Sequence, residues 1–525
     1  MIAFAALLER LAFTPSRNAR IALLARYFAA TPDPDRGLGL AAIAGELRFT
    51  AAKAGLIREL AAARTDPVLF ELSYDYVGDL AETVALIWPA ARTNQAPPSL
   101  SEVVETLAGT PKSELPSIVS GWLDASTPSV RLALLKLLTG GLRVGVSARL
   151  ARVALAELSE GRITVDDLEE IWHGVTPPYP SLFAWLTGDG PRPDPAGAPV
   201  FRPPMLAHPL ELSDLASLEP ADYRAEWKWD GIRVQLVSGP GGRRIFSRGA
   251  EDLSAAFPDL IAAMDFHAVL DGELLVVRDG TPAPFADLQR RLNRKTASPQ
   301  LQKSHPVGVR LYDMLFDAGE DIRVQPFDIR RARLEAWHAV EVPNRMELSS
   351  LIPFSSFDEL AMLRDGARAA AIEGLMLKRA DSHYLAGRQR GPWWKWKRDP
   401  LRIDAVLMYA QRGHGKRSGS FSDYTFGLWR DGDLLPVGKA YFGFSDAELV
   451  FLDRWIRNHA IARFGPVTEV EKAMVLEVAF DAAQLSTRHK SGVALRFPRI
   501  ARIRPDKPAE EADRLDSLLA LVEGR

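Results

Sequence analysis

From the first residue to about 175, apolar positions recur at three- and four-residue steps. The stretch RLALLKLLTGGLRVGVSARLARVALAELSE shows the pattern on both sides of Gly140-Gly141. This spacing predicts several helices joined by short turns. Between 177 and 204 the chain carries Pro177, Pro178, Pro180, Pro191, Pro193, Pro195, Pro199, Pro203 and Pro204. Proline fixes φ and removes a backbone donor, so this stretch is expected to be a linker, with a boundary near residue 200. Beyond it the period changes. Ile232, Val234 and Leu236 alternate with Arg233 and Gln235, which predicts a strand. Asp279-Gly280 and Asp431-Gly432 predict hairpins. Helical spacing returns at 251–264, 357–371 and 447–463, and Arg398-Asp399-Pro400 breaks the pattern again. The expected organisation is an all-α part over 1–200 with a proline-rich end, an α+β part over 201–398 and a β-rich part over 399–525.

Composition narrows the chemistry. With 47% hydrophobic and 25% charged residues among 525, the chain has ample material for folded cores. Lys and Arg number 65 against 67 Asp and Glu, a formal charge of −2. Any nucleic-acid surface must therefore be a local patch. The absence of cysteine excludes disulfides, Cys-based zinc fingers, iron–sulfur clusters and thiol nucleophiles. The histidines form no HExxH string or i, i+4 pair, which disfavours a His-based metalloenzyme. MIAFAALLERLAF contains Glu9 and Arg10 and reads as an amphipathic helix rather than a signal peptide. No apolar run approaches the ~20 residues of a membrane span. A soluble cytoplasmic protein with no membrane partner is expected.

Several segments carry candidate chemistry. In EWKWDGIR (226–233) an extended backbone sets Glu226, Lys228 and Asp230 on one face and Trp227 and Trp229 on the other. A lysine framed by tryptophans is partly desolvated, and desolvation frees an amine lone pair. The competing reading is an ordinary strand with a wet charged face. LDGELLVV (270–277) aligns Asp271 and Glu273 on one strand face, suited to a metal or a ribose hydroxyl. In EGLMLKR (373–379), strict alternation puts Glu373 and Lys378 on opposite faces unless a bulge intervenes. WWKWKR (393–398) sets Lys395 and Lys397 together, a repulsion that is tolerable where a polyphosphate binds. RFPRIARIRPDK (496–507) gathers Arg496, Arg499, Arg502, Arg504 and Lys507, either as a functional patch or as a solvated strand.

In order, KWDGIR, SRGAED, DGELL, YDML, EGLMLK, WKWK and RIRPDK resemble the ordered motifs of ATP-dependent DNA ligases, in the covalent nucleotidyltransferase superfamily. TGGLRVGVS and SYDYVGDLAET resemble phrases of the helical DNA-binding domain found in larger members, so the resemblance spans essentially the whole chain and is closest to the bacterial three-domain kind. It implies a helical DNA-binding domain (1–200), an adenylation domain (201–398) and a β-barrel OB-fold domain (399–525). It also implies sealing of 3′-OH/5′-phosphate nicks in duplex DNA through a lysyl-AMP and then a DNA-adenylate, in replication, repair or recombination.

Residue by residue, the resemblance makes Lys228 the nucleophile toward ATP. Lys395 and Lys397 would hold the α-phosphate, and Lys378 would contact the phosphates. Glu226 would lie near the adenine and Tyr312 would stack on it. Arg233 and Arg248 would contact ribose and the 5′ phosphate, and Glu273 and Glu373 would bind either ribose or Mg²⁺. Arg504, Asp506 and Lys507 would orient the pyrophosphate when the last domain closes, swinging on a hinge near Arg398-Asp399. Arg20, Lys53, Lys136, Arg143 and Arg149 are candidate DNA-phosphate contacts, as is the loop QRGHGKRSGS (411–420), although solvated surface charge is the simpler reading of each residue and a hairpin loop that of 411–420. Gly140-Gly141 is either a close approach to phosphate or a helix C-cap. The expected partners are ATP, Mg²⁺ and nicked DNA, met by a monomer in the cytoplasm, together with other DNA-repair proteins. An NAD-dependent ligase would need a tetracysteine module that this chain cannot build. RNA ligases and capping guanylyltransferases share the core motifs, but the long helical N-terminal part and the RIRPDK ending favour a DNA ligase over both, and a DNA-binding scaffold without catalysis would not need Lys228 and its attendant charges.

Overall fold

Residues 1–47, 49, 54–89, 95–140, 142, 144–195, 197–292, 294, 296–367, 371–412, 421–487 and 489–522 are described by a computed structural model. Helices run from Ile2–Phe13 to Pro180–Thr187, and several of their starts follow from side-chain caps. Ser16, Asp66, Asp79 and Ser147 each accept a bond from a backbone N–H of the first turn. Ser99 with Glu102, and Thr164 with Asp167, form capping boxes. The apolar stripes meet in one core that includes Phe4, Leu24, Phe28, Leu134, Leu155 and Phe183. The proline-rich stretch is not wholly a linker. Pro180 occupies the first turn of Pro180–Thr187, where a missing N–H costs nothing, and Leu182, Phe183 and Leu186 are buried.

The middle of the chain is built on two main sheets, beside a short parallel pair of Met205–Leu206 with Gly387–Arg388. One orders Met346–Leu348, Val307–Asp317, Ala268–Arg278, Ile232–Gly239 and Gly242–Ser247. The other orders Leu351–Ile352, Tyr223–Trp229, Ile372–Arg379, Trp393–Lys397 and His208–Pro209. Asp230-Gly231 carries the chain from the second sheet to the first, and a Cβ on Gly231 would lie 2.3 Å from the Leu274 carbonyl oxygen. Close backbone approach therefore requires glycine there. Asp279 and Gly280 (φ 50° and 76°) turn one hairpin, and Asp431 and Gly432 (φ 51° and 88°) another.

The last part is a curled antiparallel sheet consistent with an OB fold. Leu401–Arg412 pairs with Phe421–Arg430 on one side and with both Val467–Val470 and Val475–Phe480 on the other. Arg499–Arg504 extends the sheet beyond Val475–Phe480. Its core, including Phe426, Val437, Leu476 and Val478, is separate from the others. The pattern at 447–463 divides into the helix Asp446–Asn458 and the strand Ala460–Phe464. That at 251–264 yields only short turns and Pro258–Ala262, and that at 357–371 ends as a helix at Gly366. Among the described residues no helix is long and apolar enough to cross a membrane.

The helical part rests on the middle part through polar contacts. Arg323 pairs with Glu170 at 2.7 Å, and the His173 ring bonds the Ala250 carbonyl at 3.0 Å, beside Arg248.

Candidate active site

A cleft of about 560 Å³ opens between the two middle sheets, lined among others by Glu226, Lys228, Arg233, Arg248, Glu273, Tyr312, Glu373, Lys378, Lys395 and Lys397. Strand alternation explains most of this convergence. Glu226 and Lys228 share a face of Tyr223–Trp229, while Lys395 and Lys397 share a face of Trp393–Lys397. Trp394 and Trp396 face the other way, into a core with Leu210, Leu375 and Leu377.

Glu373 arrives by a bulge. Ile372 pairs with Trp229 and Gly374 with Lys228, so Glu373 is the extra residue between them. Gly374 has φ 147°, and a Cβ there would lie 2.2 Å from the Trp396 carbonyl oxygen. The bulge thus answers the question that alternation left open: both Glu373 and Lys378 reach the cleft.

The Lys228 ammonium donates to Glu373 Oε2 at 2.5 Å, and Lys397 lies 3.4 Å from the same oxygen. Burial pushes the Glu373 carboxyl up, but the Lys228 and Lys397 charges outweigh it and hold it down at about 2. Glu273 is enclosed, and burial pushes it up to about 8, with Lys228 opposing and Glu373 adding to the rise. Lys395 is drawn down by burial and then by the Arg388, Lys228, Lys397 and Arg248 cations. Among the described residues, Arg248, Arg388 and Lys395 have no carboxylate partner. This end of the cleft is therefore uncompensated positive charge, fitted to phosphate.

Glu273 and Glu373 are hard oxygen donors on the cleft wall, and no set of three or more His, Asp or Glu among the described residues forms a metal cage. Two carboxylates plus substrate oxygens is the donor set Mg²⁺ usually takes, so these residues fit it.

Two sequence-singled cations are already committed elsewhere. Arg233 binds both Asp271 oxygens (3.0 and 2.5 Å), the Met205 carbonyl (2.6 Å) and the Tyr384 hydroxyl (3.0 Å). Tyr312 donates to Asp271 at 3.1 Å, so Asp271 organises the cleft wall. Lys378 is buried against Glu226 at 2.9 Å and donates to the Tyr312 carbonyl at 3.1 Å.

Arg504 and Lys507 are not brought to the cleft. They pair with Asp404 at 3.1 and 2.8 Å, within their own domain. Arg496 and Phe497 line the cleft instead, and Arg496 forms an ion pair with Asp230. Burial raises the Asp230 carboxyl, the Arg496 hydrogen bond lowers it, and Glu373 raises it further. Arg496 belongs to the basic segment noted in the sequence and Met376 and Trp393 lie inside EGLMLKR and WWKWKR, whereas Arg388 had no signal beyond its place between those two motifs.

In the helical part, Lys136 is held by Asp79 at 2.7 Å, Arg149 by Glu169 at 2.5 Å, and Arg20 by the Gly145 carbonyl at 2.8 Å. Gly140 is a left-handed helix C-cap. Lys53, Gly141, Arg143 and residues 413–420 lie outside the described residues.

Comparison with known proteins accords with this geometry. The model of the ATP dependent DNA ligase domain matches residues 204–397, and that of the ATP dependent DNA ligase C terminal region matches 417–507. The chain is 32% identical to a probable DNA ligase of Koribacter versatilis (strain Ellin345), over 97% of this chain and 94% of that relative. It is 30% identical to a DNA ligase of Thermococcus onnurineus (strain NA1), over 86% of this chain and 84% of the relative. The solved structure Pmar-Lig_PreS3 shares the fold over 95% of this chain and 99% of its own, with a TM-score of 0.55 at 15% identity.

Proposed function

This chain belongs to the ATP-dependent DNA ligases, and from that membership we propose how its own residues carry the reaction. The observation that carries the reading is Lys228 in the cleft, flanked by Glu373 and sharing the lining with Arg248 and Lys395, which have no carboxylate partner among the described residues. Lys228 attacks the α-phosphorus of ATP. An N–P bond forms, the bond to the β-phosphate oxygen breaks, and pyrophosphate leaves. Lys395 and Lys397 hold the α-phosphate during this exchange, and Arg248 takes the 5′-phosphate of the nick. That phosphate then displaces Lys228 to give a DNA-adenylate, and the 3′-hydroxyl displaces AMP. Glu273 and Glu373 would hold Mg²⁺, which neutralises the polyphosphate when bound.

The nucleobase lies at the Glu226 and Tyr312 end, with the Tyr312 ring against the purine face. Arg233 positions the wall through Asp271 and Tyr312 rather than contacting ribose, and Lys378 is held by Glu226 and the Tyr312 carbonyl rather than offered to the phosphates.

The domains divide near residues 200 and 398. The C-terminal barrel presents two faces in turn. With Arg496 and Phe497 at the cleft, Arg504 and Lys507 face away, an arrangement suited to strand sealing. Turning about the segment near Arg398-Asp399 brings Lys507 to the pyrophosphate for adenylation. The enzyme works as a monomer on nicked duplex DNA.

The test is covalent labelling. After bound adenylate is stripped with pyrophosphate, the protein is given Mg²⁺ and ATP labelled at the α-phosphate, with GTP and NAD in parallel. Label from ATP alone that survives denaturation and chases onto nicked DNA is expected. Label from NAD, or none from any nucleotide, would refute this course.

A further inference from the structure

Lys378 is a buried cation committed to protein partners. Its side chain and that of Glu226 are each only 2% exposed. The ammonium lies 4.4 Å from the Tyr312 ring centre, 4.7 Å from Trp393 and 4.9 Å from Phe327. Ring faces attract a desolvated cation, so this cage holds the ammonium in place. To touch the polyphosphate it would have to leave the cage, the Glu226 carboxylate at 2.9 Å and the Tyr312 carbonyl at 3.1 Å together.

Glu226 is the natural recipient of this arrangement. It sits two residues before Lys228 on the same strand face and lines the cleft. The Lys378 ammonium takes its Oε1 at 2.9 Å, and no other side chain or backbone donor among the described residues bonds this carboxylate. A carboxylate at the wall of a ligand cleft, with one oxygen held by its cation, keeps acceptor capacity for a donor from the ligand.

We propose that Lys378 is a positioning residue for nucleobase selection, holding Glu226 as an anion aimed at the base and so setting the preference for ATP over GTP. The proposal rests on the reading that Glu226 faces adenine. An ionised carboxylate only accepts hydrogen bonds. Adenine presents an amino donor at its C6 position, where guanine presents a carbonyl acceptor. The anion thus welcomes one base and repels the other. Without its cation, a buried carboxylate is costly and takes up a proton. The resulting carboxylic acid both donates and accepts, so it would tolerate either base. Lys378 acts on the base through Glu226 and touches no reacting atom.

The test uses the full-length enzyme and self-adenylation kinetics with ATP and with GTP. Wild type is compared with Lys378→Met, Glu226→Gln and the double variant, and thermal melting checks that each is folded. Methionine fills the same aromatic cage, and the double variant removes both charges together. Either single change is expected to raise KM for ATP and cut the ATP-to-GTP preference by ~10-fold or more, with kcat less affected. Adding Lys378→Met to Glu226→Gln is expected to change the preference no further.

A fall in kcat for Lys378→Met with KM and preference intact would overturn the proposal. So would additive losses in the double variant, since both outcomes mean a direct role at the phosphates. If Glu226→Gln itself keeps full preference, the placement of adenine at Glu226 is what fails. If Glu226→Gln loses preference while Lys378→Met retains it, only the positioning role fails.

Discussion

Lys228 and Glu373 meet at 2.5 Å because the strand carrying Glu373 has one residue more than its neighbour at that point. The extra residue turns the Glu373 carboxylate into the cleft without disturbing the register of Leu375, Met376 and Leu377 against Trp227, Glu226 and Ala225. Nucleophile and carboxylate thus come from strands paired over most of their length, a stiff support for the chemistry.

The bulge depends on Gly374. Gly374→Ala forces a Cβ against the Trp396 carbonyl and a strained φ, and is expected to cost about 2 kcal/mol or more. A lower Tm together with weakened self-adenylation is the expected result. Unchanged melting and labelling would mean that the strands can part to admit a methyl group.

Lys228→Ala is expected to abolish covalent labelling by ATP, a loss of ~10³-fold or more, while affinity for nicked DNA persists. Gel analysis and a DNA-binding titration measure the two. Labelling retained by the variant would move the nucleophile elsewhere.

The two faces of the barrel predict opposite kinetic splits. Lys507→Ala should slow adenylation more than sealing of a pre-adenylated nick. Arg496→Ala, which removes the ion pair with Asp230, should do the reverse. Single-turnover measurement of each step decides, and equal damage to both steps by both variants would argue against alternating faces.

Glu273 gives a pH signature. Its carboxyl is raised from 4.5 to about 8 in the folded protein. The unfolded state therefore binds fewer protons between those values, and this group's contribution to stability is greatest below 4.5 and is lost as pH rises through about 8. In metal-free buffer, Glu273→Gln should raise Tm at pH 8.5 relative to wild type, with a smaller difference at pH 5. Added Mg²⁺ should narrow the gap at high pH by stabilising the wild-type carboxylate. A Tm difference that is the same at both pH values would show that Glu273 ionises freely in the fold.

Much of this protein was legible before its tertiary structure. Local periodicity specified the helical first part, the strand at Ile232–Gly239 and the Asp-Gly hairpins, because backbone geometry alone decides which side chains share a face. The same rule put Lys228 with Glu226, and Lys395 with Lys397. The destination of a charged side chain is a different matter, set by which partners lie within reach once distant segments pack. Alternation alone could not reveal the bulge at Glu373. It gave no sign that Asp271 takes up Arg233, or that Lys378 enters an aromatic cage built by Tyr312, Phe327 and Trp393. Nor did it show that Asp404 holds Arg504 and Lys507 while Arg496 reaches Asp230 from 266 residues away. Period and propensity are properties of neighbouring residues, whereas the pairing of buried charge is a property of the packed chain, and there only the tertiary structure decides.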